Sequence, residues 1–372
     1  MTRRIVVLAI LMVAGLLVIA GCGAVESPAE SPDPADDVER PASRFLDYRD
    51  DPQPIHLPDD AAPHDRLTEW WYYTGHLEND DGDQFGFQFV IFQVRRGDFP
   101  PTWAAHLAIT EATAGRFAYD ERIDSGEQPP GVFPINFEVG GWMLQGGDGE
   151  DHISAEMPGY ALDLTLTSEK PPIFHEGEGY FQFAPGAESY YYSRTRMGAD
   201  GTLTIDGVEM DVTGIGWFDQ QWGDFLVLDD VGWDWFSVQL DNGEELMAWR
   251  SHDRRGNILD GNATLVDIDG NATDVSFEEL EIESTGEWQS PESGGTYPMG
   301  WIIRIPAYDI DLVINPVMEA QELDTSESTG VIYWEGMIEA GGTYRGNPVE
   351  GLGYVELTGY AEPQLDSAPG SE

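Results

Sequence analysis

At 372 residues, with 41% hydrophobic and 12% aromatic content, the chain can build real cores and is no disordered polyelectrolyte. Its 69 Asp and Glu against 18 Lys and Arg give a formal charge of −51, and the lack of a basic patch excludes a nucleic-acid partner. Such a surface repels itself in dilute buffer but is screened at molar salt, where the Debye length is about 3 Å, so the acidity is expected to reflect work in high salt.

Arg3 and Arg4 precede the apolar run Ile5–Ala20, which ends at Gly21-Cys22. The run is short for a membrane span and suits the apolar region of an export signal, a retained anchor being the alternative. Small residues ending at a Cys resemble a lipoprotein lipobox. Residues 1–22 are therefore read as a signal with Cys22 as the lipidated residue, which places the folded part outside the cytoplasm, lipid-anchored to the membrane. Cys22 is the only Cys, so no intrachain disulfide can form. Thr2-Arg3-Arg4 also fits a twin-arginine signal. Residues 23–64, rich in Ala, Pro, Ser, Asp and Glu, are expected to be a solvated tether.

From Glu69 the pattern turns to strands. Trp70–Leu77 and Gln84–Phe92 flank the acidic Gly-containing turn Glu78–Asp83, a hairpin signature. Further strands are expected at Ala104–Thr110, Phe137–Leu144, Ala161–Thr167, Gly201–Gly207, Phe236–Leu240, Leu246–Arg250 and Asn262–Ile268. With 43 Gly, 24 Pro and no long amphipathic helix pattern, the chain reads as all-β. The acidic turns lack calcium-loop spacing, and His76, His152, His175 and His252 show no zinc spacing, so neither a metal nor a cofactor is expected. Ser193 and Ser237 lack a nucleophile elbow, which argues against a serine hydrolase. Asn262-Ala-Thr and Asn271-Ala-Thr are glycosylation sequons.

The chain also repeats itself. Trp70-x-Tyr72-Tyr73-Thr74-x-His76-Leu77-Glu78-Asn79 matches Trp233-x-Trp235-Phe236-Ser237-x-Gln239-Leu240-Asp241-Asn242. Gly214-x-Gly216-Trp217-x-Asp219 matches Gly351-x-Gly353-Tyr354-x-Glu356, and Tyr191-Tyr192-Ser193 lines up with Tyr333-Trp334-Glu335. Two copies of one β unit are expected, over residues 65–222 and 223–362, with 363–372 as a polar tail. Each copy has a length suited to a closed antiparallel barrel, a sandwich being the alternative.

Glu69-Trp70-Trp71-Tyr72, Trp103-Ala104-Ala105-His106, Trp217-Phe218-Asp219-Gln220-Gln221-Trp222-Gly223, Gly232-Trp233-Asp234-Trp235 and Tyr333-Trp334-Glu335-Gly336 together resemble the hydroxyneurosporene synthase (carotenoid 1,2-hydratase) and AttH-like lipocalin-type family. The resemblance covers residues 60–362 and implies two consecutive lipocalin-like antiparallel β-barrels related by duplication. It implies functions ranging from hydration of an isoprenoid double bond to roles not yet known. Where the family reads Trp-Phe-Asp-His-Gln-Trp-Gly, this chain has Gln220, which cannot carry a proton near neutral pH.

Adding water to an alkene needs a proton donor, a stabilised cation and a positioned water. Carboxyls kept neutral among aromatic rings supply the first two requirements, and Asp219 and Glu356 are the candidate acids. Glu69, Trp70, His106, Trp217, Trp222, Trp233, Asp234, Trp334 and Glu335 are the candidate ligand-binding residues. Glu69 is expected to pair with Arg194 or Arg250. The expected activity is binding of an elongated hydrophobic ligand such as an isoprenoid, carotenoid or lipid. The alternatives are hydratase chemistry, and an accessory role beside a membrane transporter.

Overall fold

The computed structural model describes residues 51–97, 99–126, 128, 134–184, 187–225 and 231–361. The expected signal with Cys22, most of the expected tether and the expected tail lie outside them.

Twelve strands build the first sheet. They are β1 (Thr68–Asn79), β2 (Gln84–Val94), β3 (Thr102–Glu111), β4 (Arg116–Ser125), β5 (Ile135–Val139) and β6 (Trp142–Gly146). The rest are β7 (Glu150–Met157), β8 (Tyr160–Ser168), β9 (Ile173–Phe174), β10 (Tyr180–Ala184), β11 (Ala187–Ile205) and β12 (Val208–Gly223). The second sheet holds β13 (Val231–Leu240), β14 (Glu245–Asp253), β15 (Ile258–Val266), β16 (Ala272–Ser276) and β17 (Glu281–Gln289). It continues with β18 (Thr296–Ile305), β19 (Ile310–Pro316), β20 (Glu322–Thr325), β21 (Val331–Tyr344) and β22 (Asn347–Thr358).

The duplication is visible in the strand order. The first sheet runs β4-β3-β2-β1-β12-β11-β8-β7-β6-β5 and the second β16-β15-β14-β13-β22-β21-β19-β18-β17, all antiparallel. In the first, β5 returns against β3 and β4, so the sheet curls toward closure as a lipocalin-like barrel does. The matched motifs occupy matched registers. Tyr72 stands opposite Asp219 and Trp235 opposite Glu356, while Ser193 faces Asp219 and Glu335 faces Glu356.

Two expectations change in detail. The segment Phe137–Leu144 is two strands, because Gly140 and Gly141 adopt positive φ of 56° and 90° and turn the chain between β5 and β6. Residues 51–64, expected as tether, pack on the first barrel: Ala61 is buried and its carbonyl accepts the Trp71 indole N–H at 3.0 Å. Asp51 is held there too, by Arg66 at 2.7 Å and the Tyr190 hydroxyl at 2.7 Å.

Three large apolar clusters result, beside a small one of Ala108, Leu323 and Tyr333. One fills the first barrel around Trp71, Tyr73, Phe87 and Trp142, and a second fills the other around Phe236, Trp301 and Trp334. The third, with Tyr72, Tyr191, Trp217, Trp235, Met247, Trp249, Met337 and Tyr354, draws on both barrels and is the seam between them. The strands approach closely there. A Cβ on Gly86 of β2 would fall 2.3 Å from the Tyr354 hydroxyl of β22 and 3.1 Å from the Met337 sulfur. Gly86→Ala is expected to destabilise the protein by about 1–3 kcal/mol through overpacking. Denaturant titration checks this, and an unchanged midpoint would mean that the seam yields easily.

Candidate active site

Alternation along each strand sorts the side chains. In β12, Phe218 and Trp222 enter the first barrel, while Trp217 turns to the seam and Asp219 meets Tyr191 there. In β1, Trp71 and Tyr73 point inward, and Trp70 and Tyr72 face the second barrel. The second half repeats this: Phe236, Trp334, Val355 and Leu357 point inward, and Trp233, Trp235, Met337 and Tyr354 face the seam.

Three carboxyls share the seam. Asp219 accepts the indole N–H of Trp217 at 2.7 Å, the Tyr191 hydroxyl at 2.8 Å and the Ser193 hydroxyl. A carboxylate has about four lone-pair positions, so one remains for a proton or a bound hydroxyl. Glu335 accepts the Tyr72 hydroxyl at 2.7 Å across the barrels, and its buried Oε2 has no hydrogen-bond partner among the described residues. Glu356 accepts the Trp233 indole N–H at 2.5 Å and lies directly across the β21–β22 ladder from Glu335.

Burial sets the protonation of these acids. It pushes Asp219 up to about 7 against the pull of its three donors. It pushes Glu356 up to about 7, with the Asp219 charge adding to the rise and the Trp233 N–H opposing it. Glu335 is raised well above the carboxylate range, first by burial and then by its neighbour Glu356. Among the described residues, no cation is one of the neighbours that shift them. Like charges so placed cannot all ionise, so the group keeps protons near neutral pH and titrates as a coupled set. Tyr72 and Tyr191, their phenols raised well above the usual range by burial, remain donors throughout. Glu356, Trp233, Trp70 and Phe92 are half-buried, and Asp219 and Glu335 lie deeper.

Strand alternation thus gathers Trp70, Trp217, Asp219, Trp233, Glu335 and Glu356 among the expected site residues and turns Glu69, Trp222, Asp234 and Trp334 into the barrel interiors. Glu69, on the inner face of β1, pairs with neither Arg194 nor Arg250. It meets His64 Nδ1 at 2.7 Å and accepts the Gln220 amide at 2.9 Å. Gln220 therefore belongs to the first barrel's interior, beside a histidine from the segment expected to be tether. Trp222 lies there too, stacked on His64 at 4.1 Å and on Tyr190 at 5.3 Å. Asp234 is the acid that Arg250 holds, at 2.8 Å, with the Tyr360 hydroxyl at 2.7 Å. Trp334 donates to the Glu319 carbonyl at 2.6 Å inside the second barrel. His106 faces the other barrel, with Nδ1 2.8 Å from the Tyr333 hydroxyl. Burial lowers this imidazole to about 3, so it is neutral.

Burial alone would lower His64, but the Glu69 and Asp60 carboxylates outweigh it and hold the imidazole at about 9. The stability of this pair is fully present below the ordinary histidine pKa and is lost as pH rises through about 9. The loss is on the order of 3 kcal/mol. Melting temperature in molar salt should therefore fall between neutral pH and pH ~9, and His64→Asn should flatten that limb. An identical alkaline limb in the variant would contradict the assignment.

Each barrel's interior is occupied by its own side chains, with Trp71, Trp103, Trp142, Trp301 and Trp334 at most 1% exposed. Among the described residues neither interior offers the elongated apolar cavity that the ligand-binding expectation requires. Surface cavities of about 280 and 220 Å³ lie beside Phe277 and Gly141, and none of the three acids lines either one. The seam partners Tyr72, Tyr191, Ser193 and Trp235 were not among the candidate site residues. Their signal was their register opposite or beside Asp219 and Glu356.

The family model described as AttH-like matches residues 48–360. A Nitrosomonas europaea crystal structure assigned as an AttH is 28% identical, with a TM-score of 0.76, covering 83% of this chain and 98% of that one. Kievitone hydratase from Nectria haematococca has the same fold, with a TM-score of 0.67 at 18% identity, covering 82% of this chain and 93% of that one. A dehydratase of Emericella nidulans, asqC, is 22% identical over 213 residues, 55% of this chain and 60% of that protein's length.

Proposed function

The chain belongs to the AttH-like family, and on that footing we propose that it adds water to, or removes water from, an apolar substrate held at the seam between its barrels. The observation that carries this reading is the set of acids Asp219, Glu335 and Glu356, buried among Trp and Tyr rings and kept from full ionisation near neutral pH. The named activities of the hydratase and the dehydratase support it.

Hydration and its reverse need one acid and one base. Burial pushes Asp219 and Glu356 each up to about 7, and the Asp219 charge adds to the rise of Glu356, so in the proposed cycle one holds a proton while the other is ionised. In hydration the protonated member forms a C–H bond at one alkene carbon and the positive charge falls on the other. Water attacks that carbon, and the ionised member takes the water's extra proton. Dehydration runs the same steps backwards, with a protonated hydroxyl as the leaving group. Trp217, Trp233, Trp235 and Tyr72 offer ring faces to the cation, worth about 1–2 kcal/mol each when desolvated. Met247 and Met337 give the lining some freedom to adapt. Glu335, kept neutral by burial and by the neighbouring Glu356, adds no further charge beside that acid. The substrate class is an apolar molecule bearing an isolated double bond or the corresponding alcohol, with acyclic isoprenoids as the first probes.

The site is proposed to work outside the cytoplasm, on a chain exported by residues 1–22 and tethered through Cys22, in surroundings salty enough to screen its charge. No transporter partner is needed for this chemistry. The test is incubation of the protein in ¹⁸O-water with isoprenoid alkenes and their tertiary alcohols, followed by mass spectrometry. Enzyme-dependent label in the alcohol supports the reading, and label no greater than with heat-denatured protein overturns it.

A further inference from the structure

Behind Asp219 stands a row of side chains that the proposed chemistry does not use. Ser193 donates to Asp219 Oδ1. His175, in the turn after β9, places Nε2 2.7 Å from the Ser193 hydroxyl and Nδ1 2.9 Å from the Thr264 hydroxyl of β15. Thr264 in turn reaches Asp274 Oδ1 at 3.3 Å, and Asp274 is exposed. His175 is buried, and it lies stacked at 4.0 Å on Tyr191, which holds the other oxygen of Asp219. Five polar groups thus run in unbroken hydrogen-bond contact from solvent to the seam, crossing from the second barrel to the first.

We propose that Asp274, Thr264, His175 and Ser193 form a proton relay that reloads Asp219 from solvent. This inference rests on the reading of Asp219 as a proton donor. The donor count fixes how the relay works. When Asp219 is ionised, Ser193 donates to it, His175 Nε2–H donates to Ser193, Thr264 donates to Nδ1, and protonated Asp274 donates to Thr264. Each of these four hydrogens then moves one place. Asp219 becomes the acid and donates to Ser193, Ser193 donates to Nε2, Nδ1–H donates to Thr264, and Thr264 donates to ionised Asp274. One proton has crossed, four O–H or N–H bonds have broken and four have formed, and His175 has exchanged one neutral tautomer for the other. An imidazole that burial lowers to about 3 suits this role, because it need never carry a charge.

A second, incomplete row joins β3 and β4 of the first barrel to the second barrel. Glu121 accepts from Ser328, whose hydroxyl is 3.0 Å from His106 Nε2, and His106 meets the Tyr333 hydroxyl. There it stops: among the described residues no hydrogen bond joins Tyr333 to a seam carboxyl. His106 is therefore the internal control. His175 acts through Asp219 as a positioning residue and does not touch substrate.

The test reads the proton itself and needs no substrate. Infrared difference spectra of wild type against Asp219→Asn, one unit below the midpoint of about 7, isolate the protonated Asp219 carbonyl band. A rapid drop in pH from one unit above that midpoint then times the rise of the band as Asp219 takes up its proton. His175→Phe, which keeps a stacking ring, and Thr264→Val are each expected to slow that rise by about 10²-fold or more. His106→Phe should leave it unchanged. A wild-type rate of rise in both His175→Phe and Thr264→Val would overturn the relay while leaving the acid reading intact. If His175→Phe fails to fold, Thr264→Val decides alone. Absence of the band from wild type would overturn both the relay and the acid role of Asp219.

Discussion

Asp219→Asn and Glu356→Gln are each expected to lower turnover by about 10²–10⁴-fold, the usual contribution of a positioned acid or base. Both substitutions preserve shape and remove the titrating proton. In Asp219→Asn the amide oxygen can still accept from Trp217 and Ser193, so the seam should survive. Its NH₂ then faces the Tyr191 hydroxyl, which can rotate to accept. Glu335→Gln should cost far less activity, because Glu335 is already held neutral and an amide reproduces that state. The rate of the wild type should follow a bell around pH 7, its two limbs belonging to the coupled pair. Steady-state kinetics on the most reactive isoprenoid probe would check all three variants. Equal losses in all three would point to packing of the seam, and no loss in Asp219→Asn would remove it from the reaction.

The largest effect on stability is expected from Lys170→Met, on the order of 3–5 kcal/mol as for a broken buried ion pair. Lys170 is the only Lys among 18 basic residues, and its site explains the choice. Its ammonium reaches the Gly243 carbonyl at 2.6 Å, Glu245 Oε2 at 2.7 Å and the Asp267 carbonyl at 2.7 Å, which uses all three donors. Arg196 of β11 holds the other Glu245 oxygen at 2.6 Å. One fully buried acid of the second barrel is thus clamped by two cations of the first. Burial raises the Glu245 carboxyl, and the two cations pull against that rise. Without Lys170 two carbonyls lose this donor, and Glu245 Oε2 is left with the Thr195 hydroxyl at 3.2 Å. Arg is a poor replacement, because its flat fork does not match three convergent acceptors. Denaturant midpoints of Lys170→Met and Lys170→Met/Glu245→Gln should show the second change recovering part of the loss. A cost below about 1 kcal/mol would place the contact with ordinary surface pairs.

Much of this architecture could be read from residue types and spacing. The matched Trp70 and Trp233 motifs correctly announced a duplicated β unit, and Asp219 and Glu356 are matched residues of the two halves, in matched registers. The sorting of the site was also written in the sequence, in strand parity. Because side chains alternate, Asp219 and Gln220 could not serve one site, nor could Trp70 and Glu69, or Glu335 and Trp334. What sequence could not supply was the partner across the seam. Tyr72 and Glu335 are 263 positions apart, and His175 and Thr264 are 89 apart. No local pattern predicts such pairs. His64 was missed for a different reason, since its acidic, proline-rich surroundings read as solvated chain although Ala61, Ala62 and His64 are packed on the barrel.

The same parity gives Gln220 a place. It sits on the inner face with Glu69, Tyr192 and the Asp60 carbonyl, so its inability to carry a proton leaves the seam chemistry untouched.

The central claim is that the seam holds carboxyl groups in protonated form near neutral pH. A ¹³C-NMR titration of carboxyl-labelled aspartate in the folded protein at high salt, with Asp219→Asn used to assign the resonance, measures this directly. The account predicts that the Asp219 carboxyl titrates with a midpoint near 7. A midpoint near 4, the ordinary value for an exposed aspartate, would contradict it.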